Sequence, residues 1–178
     1  MKRYLSRTWN DPRAEIRESP ISGSGLFARE LIQMGEPVSI VGGMAMTEAE
    51  FEVFQASHPR YNAIQVGEDL HLVEQPEITE SIKGSMNHSC DSNAWMADEV
   101  TLTARQDIAA GEEITVDYAL FTAQAGWTLD GPCQCGSPHC RRSITGNDWK
   151  RKDVQERYRS HFSPFINRWI EKMCAGCK

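Results

Sequence analysis

Short apolar runs broken by glycine and proline make up most of the first 120 residues of the chain, as is typical of a β-rich fold. The predicted strands cover residues 37–41, 62–66, 70–73, 94–105 and 113–118, with the fourth segment forming one strand or a strand pair. Residues 67–69, Gly-Glu-Asp, predict the turn of a hairpin between the second and third of these strands. We therefore expect a mainly β fold with few helices.

A helix is predicted over residues 47–56. Thr47 can cap it, and Glu50 three residues later completes a capping box. Phe51 and Phe54 lie three residues apart, so we expect them to share the buried face of this helix.

A second helix is predicted after Ser163, which can cap it, and Pro164, which suits the first turn. The apolar residues that follow at helical spacing are Phe165, Ile166, Trp169, Ile170 and Met173. We interpret this stripe as packing against the domain rather than as a dimer contact, and we favour a monomer.

The composition is that of an ordinary globular protein, with 40% apolar and 25% charged residues in 178. The net charge of −6 argues against a general nucleic-acid binder and favours a basic partner. No apolar run approaches the roughly 20 residues that span a bilayer, and the N-terminus lacks the pattern of a secretory signal. We predict an intracellular protein whose six cysteines are reduced.

Cysteines cluster at residues 133–140 as C-x-C-x4-C. Three thiolates on a loop bent by glycine and proline can occupy one side of a tetrahedral zinc ion, and a closed zinc site needs a fourth ligand. The candidates are Cys90, His139 and the late pair Cys174 and Cys177. The spacing alone does not choose among them, and free surface thiols are the alternative to a metal site.

Three further segments indicate a function only when they are considered together. Residues 22–28 form a glycine-rich loop, Ser-Gly-Ser-Gly-Leu-Phe-Ala, which is neither a dinucleotide fingerprint nor a Walker loop. Residues 87–91 are a polar run, Asn-His-Ser-Cys-Asp, which taken alone suits a surface turn. Tyr118 ends the predicted strand 113–118, where a tyrosine is ordinarily a residue at the edge of the core.

In this order, the glycine loop, the run from Met86 to Cys90, the segment 109–118 and the cysteines at 133–140 resemble the SET-domain family of protein lysine methyltransferases. The resemblance covers roughly residues 14–145. It implies a fold of several small β-sheets with a knot-like active site, in which the segment of Asn87 and His88 passes beneath the loop that leads from Tyr118. It also implies S-adenosylmethionine as cofactor and a lysine-containing, basic protein as substrate.

The resemblance further implies a role for individual residues. Tyr118 corresponds to the catalytic tyrosine and Cys90 to the fourth zinc ligand, beside Cys133, Cys135 and Cys140. The residues expected to contact S-adenosylmethionine are Ser24, Gly25, Leu26, Asn87, His88, Tyr118 and Ile144.

The resemblance also implies a division of the chain. The parts are an N-terminal arm over residues 1–13, the SET domain over 14–121 with a variable insert over 44–80, the zinc-binding tail over 131–146 and a helical extension over 147–178. The extension matches no feature of the family.

The sequence departs from the family pattern in two places. Gly84, Ser85 and Met86 stand where an arginine and a bulky residue are common before Asn87, and Val116 stands where many members have Phe or Tyr. The first departure favours, as an alternative function, a catalytically inactive SET-like interaction module. A third interpretation is a zinc-dependent nucleic-acid binder that uses a basic patch of Arg141, Arg142, Lys150, Arg151 and Lys152.

Overall fold

The computed structural model of the protein describes residues 3–58, 61–74 and 86–175. The strands described are β1 (Trp9–Asn10), β2 (Ala14–Glu18), β3 (Ser24–Ala28), β4 (Pro37–Ile40), β5 (Met44–Met46), β6 (Ala63–Gly67), β7 (Leu70–Val73), β8 (Asn87–His88), β9 (Ala94–Met96), β10 (Thr101–Ala104) and β11 (Glu113–Val116). The helices described are α1 (Glu48–Ser57), α2 (Lys152–Tyr158) and α3 (Pro164–Ala175). The prediction of a mainly β fold is therefore confirmed.

The larger sheet has the strand order β1-β4-β10-β9-β11-β3-β2, and β8 pairs with β11 outside this path. Strand β11 carries β-branched residues and is buried over Ile114–Val116, as suits a strand covered on both faces. It pairs antiparallel with β3 and parallel with β8, which places Val116 opposite His88. The glycine loop and the polar run thus lie beside the same strand, although 60 residues separate them.

A three-stranded sheet, β5-β7-β6, and helix α1 form the part of the predicted insert that lies within the described residues. The capping box is confirmed, because the Thr47 hydroxyl accepts from the Glu50 N–H and the Glu50 carboxylate accepts from the Thr47 N–H. Phe51 is buried and Phe54 half-buried. The hairpin of β6 and β7 is confirmed as well, with a bulge between Gln65 and Gly67.

The C-terminal helices belong to the same core as the large sheet. Tyr158, Phe162, Phe165 and Ile166 are buried in one apolar cluster with Leu26. Trp169 and Ile170 pack against this cluster, which confirms the predicted packing of α3, whereas Met173 is 47% exposed. The apolar stripe therefore ends one turn earlier than its spacing predicts.

The end of the predicted strand 113–118 changes. Strand β11 ends at Val116, so the prediction that Tyr118 ends this strand is wrong. Tyr118 instead begins a 3₁₀ helix, Tyr118–Leu120, because the Asp117 carboxylate caps it by accepting from the Ala119 N–H.

At the N-terminus, the predicted arm includes β1, which pairs with β4. Within the described ranges, no helix combines the length and the apolar character that crossing a membrane requires.

Candidate active site and metal centre

The glycine loop is fastened to β8 by the side chain of Asn87. Its amide nitrogen donates to the Ser22 and Ser24 carbonyl oxygens, at 3.1 and 3.0 Å, and to the Glu113 carboxylate at 2.8 Å. A Cβ atom at Gly25 would lie 2.1 Å from Glu113 Oε1, so any other residue here would displace the Glu113 carboxylate. The Asn87 amide therefore holds the loop in place, and its donors are used within the protein.

Sequence reasoning missed Glu113. Its carboxylate also accepts from the Ser19 hydroxyl, at 2.8 Å, so it joins the start of the loop to β11. A carboxylate inside an otherwise apolar, β-branched strand was the available signal, because a charged group in such a place needs donors around it.

His88 is buried, with 3% of its surface exposed, and both ring nitrogens contact protein groups. Nδ1 accepts from the Tyr118 backbone N–H at 3.1 Å, and Nε2 lies 3.2 Å from the Cys90 sulfur. Burial lowers the pKa of His88 to about 4, so the ring is neutral at pH 7. The imidazole thus links the polar run to the start of the 3₁₀ helix.

Tyr118 lies where the predicted site residues converge. Its hydroxyl donates to the Met86 carbonyl oxygen at 3.2 Å, and its ring contacts those of His88, Phe121 and Trp127 with centroids 5.2 to 6.0 Å apart. Burial raises the pKa of Tyr118 to about 12. The phenol is therefore protonated at neutral pH and is a donor rather than a base.

Four sulfur atoms gather beside this tyrosine. The Sγ atoms of Cys90, Cys133, Cys135 and Cys140 all lie within 4.8 Å of one another. Tetrahedral zinc at about 2.3 Å from each sulfur requires separations of about 3.8 Å, so the donor set suits zinc after a small contraction. Of the other candidates for the fourth ligand, His139 and Cys174 are exposed and outside this cluster, and Cys177 lies outside the described residues.

The thiols differ in acidity. Burial raises the pKa of Cys90 and raises that of Cys133 to about 11. Burial also acts to raise the pKa of Cys135, but the backbone N–H groups of Cys90 and Ser137 outweigh it and lower this pKa to about 7. The two most buried sulfurs therefore need a cation beside them to ionise.

Arg141 joins the cysteine loop, residues 131–146, to the rest of the site. Its guanidinium donates two hydrogen bonds to the Asp117 carboxylate, at 2.6 and 2.7 Å, and one to Asp148 at 2.7 Å. Only 2% of the Arg141 side chain is exposed. The hypothesis of a basic nucleic-acid patch is therefore wrong for Arg141, because its charge is buried and paired, a use that the sequence did not reveal.

Ile144, which was predicted to pack on an adenine ring, is buried with Cys90 and Cys133 in a small apolar cluster. Trp127 and Leu129 pack against it. The predicted cofactor residues of β3 and β8 lie close together. Both strands pair with β11, and β3 also contacts β8.

An open cleft of about 630 Å³ lies next to Trp127. Its lining residues are Glu48, Glu52, Gln55, Tyr61, Gln124, Ala125, Gly126, Trp127 and Thr128. Trp127 belongs to this lining and also contacts the Tyr118 ring, with the ring centroids 6.0 Å apart, so this one side chain lies between the cleft and the tyrosine.

The charge of the cleft is negative, because its lining contains two glutamates and no lysine or arginine. The Glu48 carboxylate accepts from Gln124 and contacts the His71 imidazole. Glu52 is exposed, and within residues 3–58, 61–74 and 86–175 no donor or cation contacts its carboxylate. Glu52 therefore offers an open anionic group.

Comparison with known proteins agrees with this arrangement. The SET domain family model matches residues 23–119. The chain is 33% identical over 140 residues to an H3 lysine-4 specific histone-lysine N-methyltransferase of Mycosarcoma maydis, covering 73% of this chain and 10% of that one. It is 25% identical over 154 residues to human histone-lysine N-methyltransferase 2B, covering 80% and 6%.

Among solved structures, the methyltransferase domain of human histone-lysine N-methyltransferase SETMAR has a similar fold, with a TM-score of 0.54 at 20% identity. The match covers 74% of this chain and 57% of that chain. The chain thus spans a small part of the two sequence relatives and shares its fold with the solved domain.

Proposed function

The chain belongs to the SET-domain family, and from this premise we propose that it transfers a methyl group from S-adenosylmethionine to the ε-amine of a lysine in a protein substrate. The observation that carries the proposal is the position of Tyr118, which contacts His88 of the predicted cofactor segment and Trp127 of the cleft lining, while His88 in turn contacts Cys90 of the cysteine cluster. An intracellular setting, in which thiols stay reduced, suits the cluster.

The residues that would hold S-adenosylmethionine are Ser24, Gly25, Leu26, Asn87, His88, Tyr118 and Ile144. When bound, this cofactor supplies an electrophilic methyl group. Because the side chains of Asn87 and His88 are already engaged within the protein, we propose that these two residues contact the cofactor through their backbone.

The lysine amine must be neutral to attack the methyl carbon. A free lysine has a pKa near 10.4, so deprotonation at pH 7 costs roughly 4 kcal/mol. Tyr118 is not the base that removes this proton, because its own phenol is protonated at neutral pH. Its role is to orient the amine, and alignment together with an apolar surrounding supplies the acceleration.

We propose that Cys90, Cys133, Cys135 and Cys140 hold one zinc ion with a structural role. Three of the ligands come from the cysteine loop and the fourth follows His88 by two residues, so the metal would fasten this loop to the active site. The donor set of four thiols with no open position supports a structural rather than a catalytic metal.

The direct test is transfer of labelled methyl from S-adenosylmethionine into a mixture of histones and ribosomal proteins. We expect label on lysine with the wild type and the loss of most turnover with Tyr118→Phe, while cofactor affinity, measured by calorimetry, changes little. Cys135→Ser should lose both zinc and turnover. An undiminished rate in Tyr118→Phe would remove this mechanism, and cofactor binding without transfer to any protein would favour the inactive interaction module.

We further propose that the acidic cleft binds a basic residue beside the target lysine. Glu52 is its open carboxylate, and Tyr61 and Trp127 offer aromatic faces to a guanidinium. With synthetic peptides that carry one lysine and either Arg or Gln next to it, Glu52→Gln should weaken binding of the Arg peptide by about 3-fold to 5-fold, as for a partly exposed ion pair. Fluorescence anisotropy measures this affinity.

The matched control for this test is Glu156→Gln, which removes the same charge from an exposed position of α2 outside the cleft. It should keep the preference of the wild type for the Arg peptide. Equal loss of affinity in both variants would reduce the effect to net charge and contradict a role for the cleft.

A further inference from the structure

We infer that His88 is a positioning residue that couples the metal centre to Tyr118, with Nε2–H donating to the Cys90 sulfur and Nδ1 accepting from the Tyr118 backbone N–H. The inference rests on the proposed function in one respect, since it takes Tyr118 as the catalytic group and the four cysteines as metal ligands. It adds a role for an imidazole whose ring lies between the two.

The tautomer of His88 follows from its contacts. The Tyr118 backbone N–H can only donate, and it points at Nδ1 from 3.1 Å, so Nδ1 must be the unprotonated nitrogen. The hydrogen of the neutral ring is then on Nε2, which lies 3.2 Å from Cys90 Sγ. A doubly protonated ring would lose the first of these contacts.

Asp117 does not form a hydrogen bond with the His88 ring. Its nearer oxygen is 3.7 Å from His88 Nδ1, beyond hydrogen-bonding distance, and both carboxylate oxygens are held by Arg141. Arg141 also pairs with the buried Asp148, so the two buried carboxylates near the ring are both engaged by the guanidinium and leave the His88 nitrogens to Tyr118 and Cys90.

The Cys90 sulfur is the proposed metal ligand to which His88 is hydrogen-bonded. It is fully buried and receives the His88 Nε2–H and, at 3.3 Å, the Arg141 backbone N–H. Donors of this kind stabilise the negative charge of a metal-bound thiolate and fix the direction of the ligand. The other end, the Tyr118 N–H, begins the 3₁₀ helix that carries the phenol, so one continuous set of bonds runs from the sulfur to the tyrosine.

Two substitutions of His88 each keep one of its two hydrogen bonds and remove the other. Asn in place of His88 can present an oxygen near the Nδ1 position but has no donor that reaches Cys90, whereas Gln can present an N–H near the Nε2 position but no acceptor for Tyr118. We expect His88→Asn to weaken zinc affinity by 10-fold to 100-fold, the usual cost of losing an outer partner of a ligand. His88→Gln should keep zinc affinity within about 3-fold of wild type and instead lower kcat, because only the Tyr118 end is lost.

Zinc affinity is measured by competition with a chromophoric chelator, and the exposed His139 supplies the control His139→Ala. Replacement of zinc by ¹¹³Cd gives a second readout that needs no turnover. Correlations in NMR spectra from ¹¹³Cd to the His88 Hε2 and to the Arg141 amide hydrogen are expected, together with ring ¹⁵N shifts of the Nε2–H tautomer and a change in the Tyr118 amide shift in His88→Gln.

Wild-type zinc affinity in His88→Asn, an Nδ1–H tautomer, or failure of the protein to bind either metal would overturn the inference. If the correlations and the affinity changes appear but the wild type methylates no protein, the coupling stands and the proposed methyl transfer fails.

Discussion

The β core and the cysteine loop are held together by different forces, although they meet at one site. The core contains many fully buried apolar side chains, and Leu26, Ile114 and Phe165 among them have 2% or less of their surface exposed. The cysteine loop, residues 131–146, contributes only Cys133 and Ile144 to the buried apolar residues and contains no helix or named strand. Besides a few backbone hydrogen bonds, its order depends on its thiols and on the buried ion pairs of Arg141.

One part of the protein therefore folds by burying apolar surface. The other part, the cysteine loop, is held in place by metal ligands and ion pairs. Burial of a large apolar side chain contributes about 1.5 to 3 kcal/mol and needs no cofactor. A metal-bound loop depends on deprotonated ligands and on the supply of the ion. We expect that a substitution can disorder the cysteine loop while the core stays folded, and that a substitution can destabilise the core while the loop keeps its zinc.

The largest effect is expected on activity, from Cys133→Ser. Loss of one of four ligands should release the zinc and loosen the loop, and a displacement of Tyr118 by about 1 Å is enough to lower turnover by about 100-fold. Circular dichroism should still report the β core, while limited proteolysis should cut within residues 131–146. Cys174→Ser, at an exposed thiol outside the cluster, is the control, and a parallel collapse of the core would break the comparison.

The largest effect on stability is expected from Phe165→Ala. Phe165 is fully buried, and truncation of such a side chain costs about 3 to 5 kcal/mol in the free energy of unfolding. Met173→Ala on the same helix, at a position 47% exposed, should change it by less than about 0.5 kcal/mol. Denaturant titration measures both, and zinc content should stay at the wild-type level in each variant.

A somewhat smaller effect, about 3 kcal/mol, is expected from Arg141→Met, because it leaves the buried Asp117 carboxylate without its counter-charge. The control is Arg151→Met, whose ion pair with Asp153 is half exposed and contributes about 0 to 1 kcal/mol. Chemical unfolding at pH 7 separates the two variants. Equal losses would show that the buried link between the loop and the core has no special weight.

The elements of the fold were predictable where local patterns decide them. The capping box of Thr47 and Glu50, the β6–β7 hairpin and the apolar stripe of α3 all lie within a few residues of the signals that predict them. Tyr118 was placed wrongly, since the strand-like run of residues 113–118 continues past the point where the Asp117 carboxylate caps a new helix. The signal for that cap was a single aspartate, which also suits a strand end.

The candidate site was predictable only in part. The C-x-C-x4-C spacing indicates a metal, but Cys90 lies 43 residues before Cys133, and only the resemblance to a family joined them. The uses of Arg141, Glu113 and His88 Nδ1 depend on partners that lie 24 to 30 residues away in the chain. No local pattern identifies these partners, because the parallel pairing of β8 with β11 brings the segments of His88 and Glu113 together.

The place of the C-terminal helices has a consequence for synthesis on the ribosome. Phe162, Phe165 and Ile166 close the core that begins with β3, so synthesis must pass Ile166 before the apolar face of the sheet is covered. Until then the nascent chain presents strands with no partner, a species that aggregates readily. We therefore expect the nascent chain to need chaperone protection until the segment that contains these three residues has emerged from the ribosome.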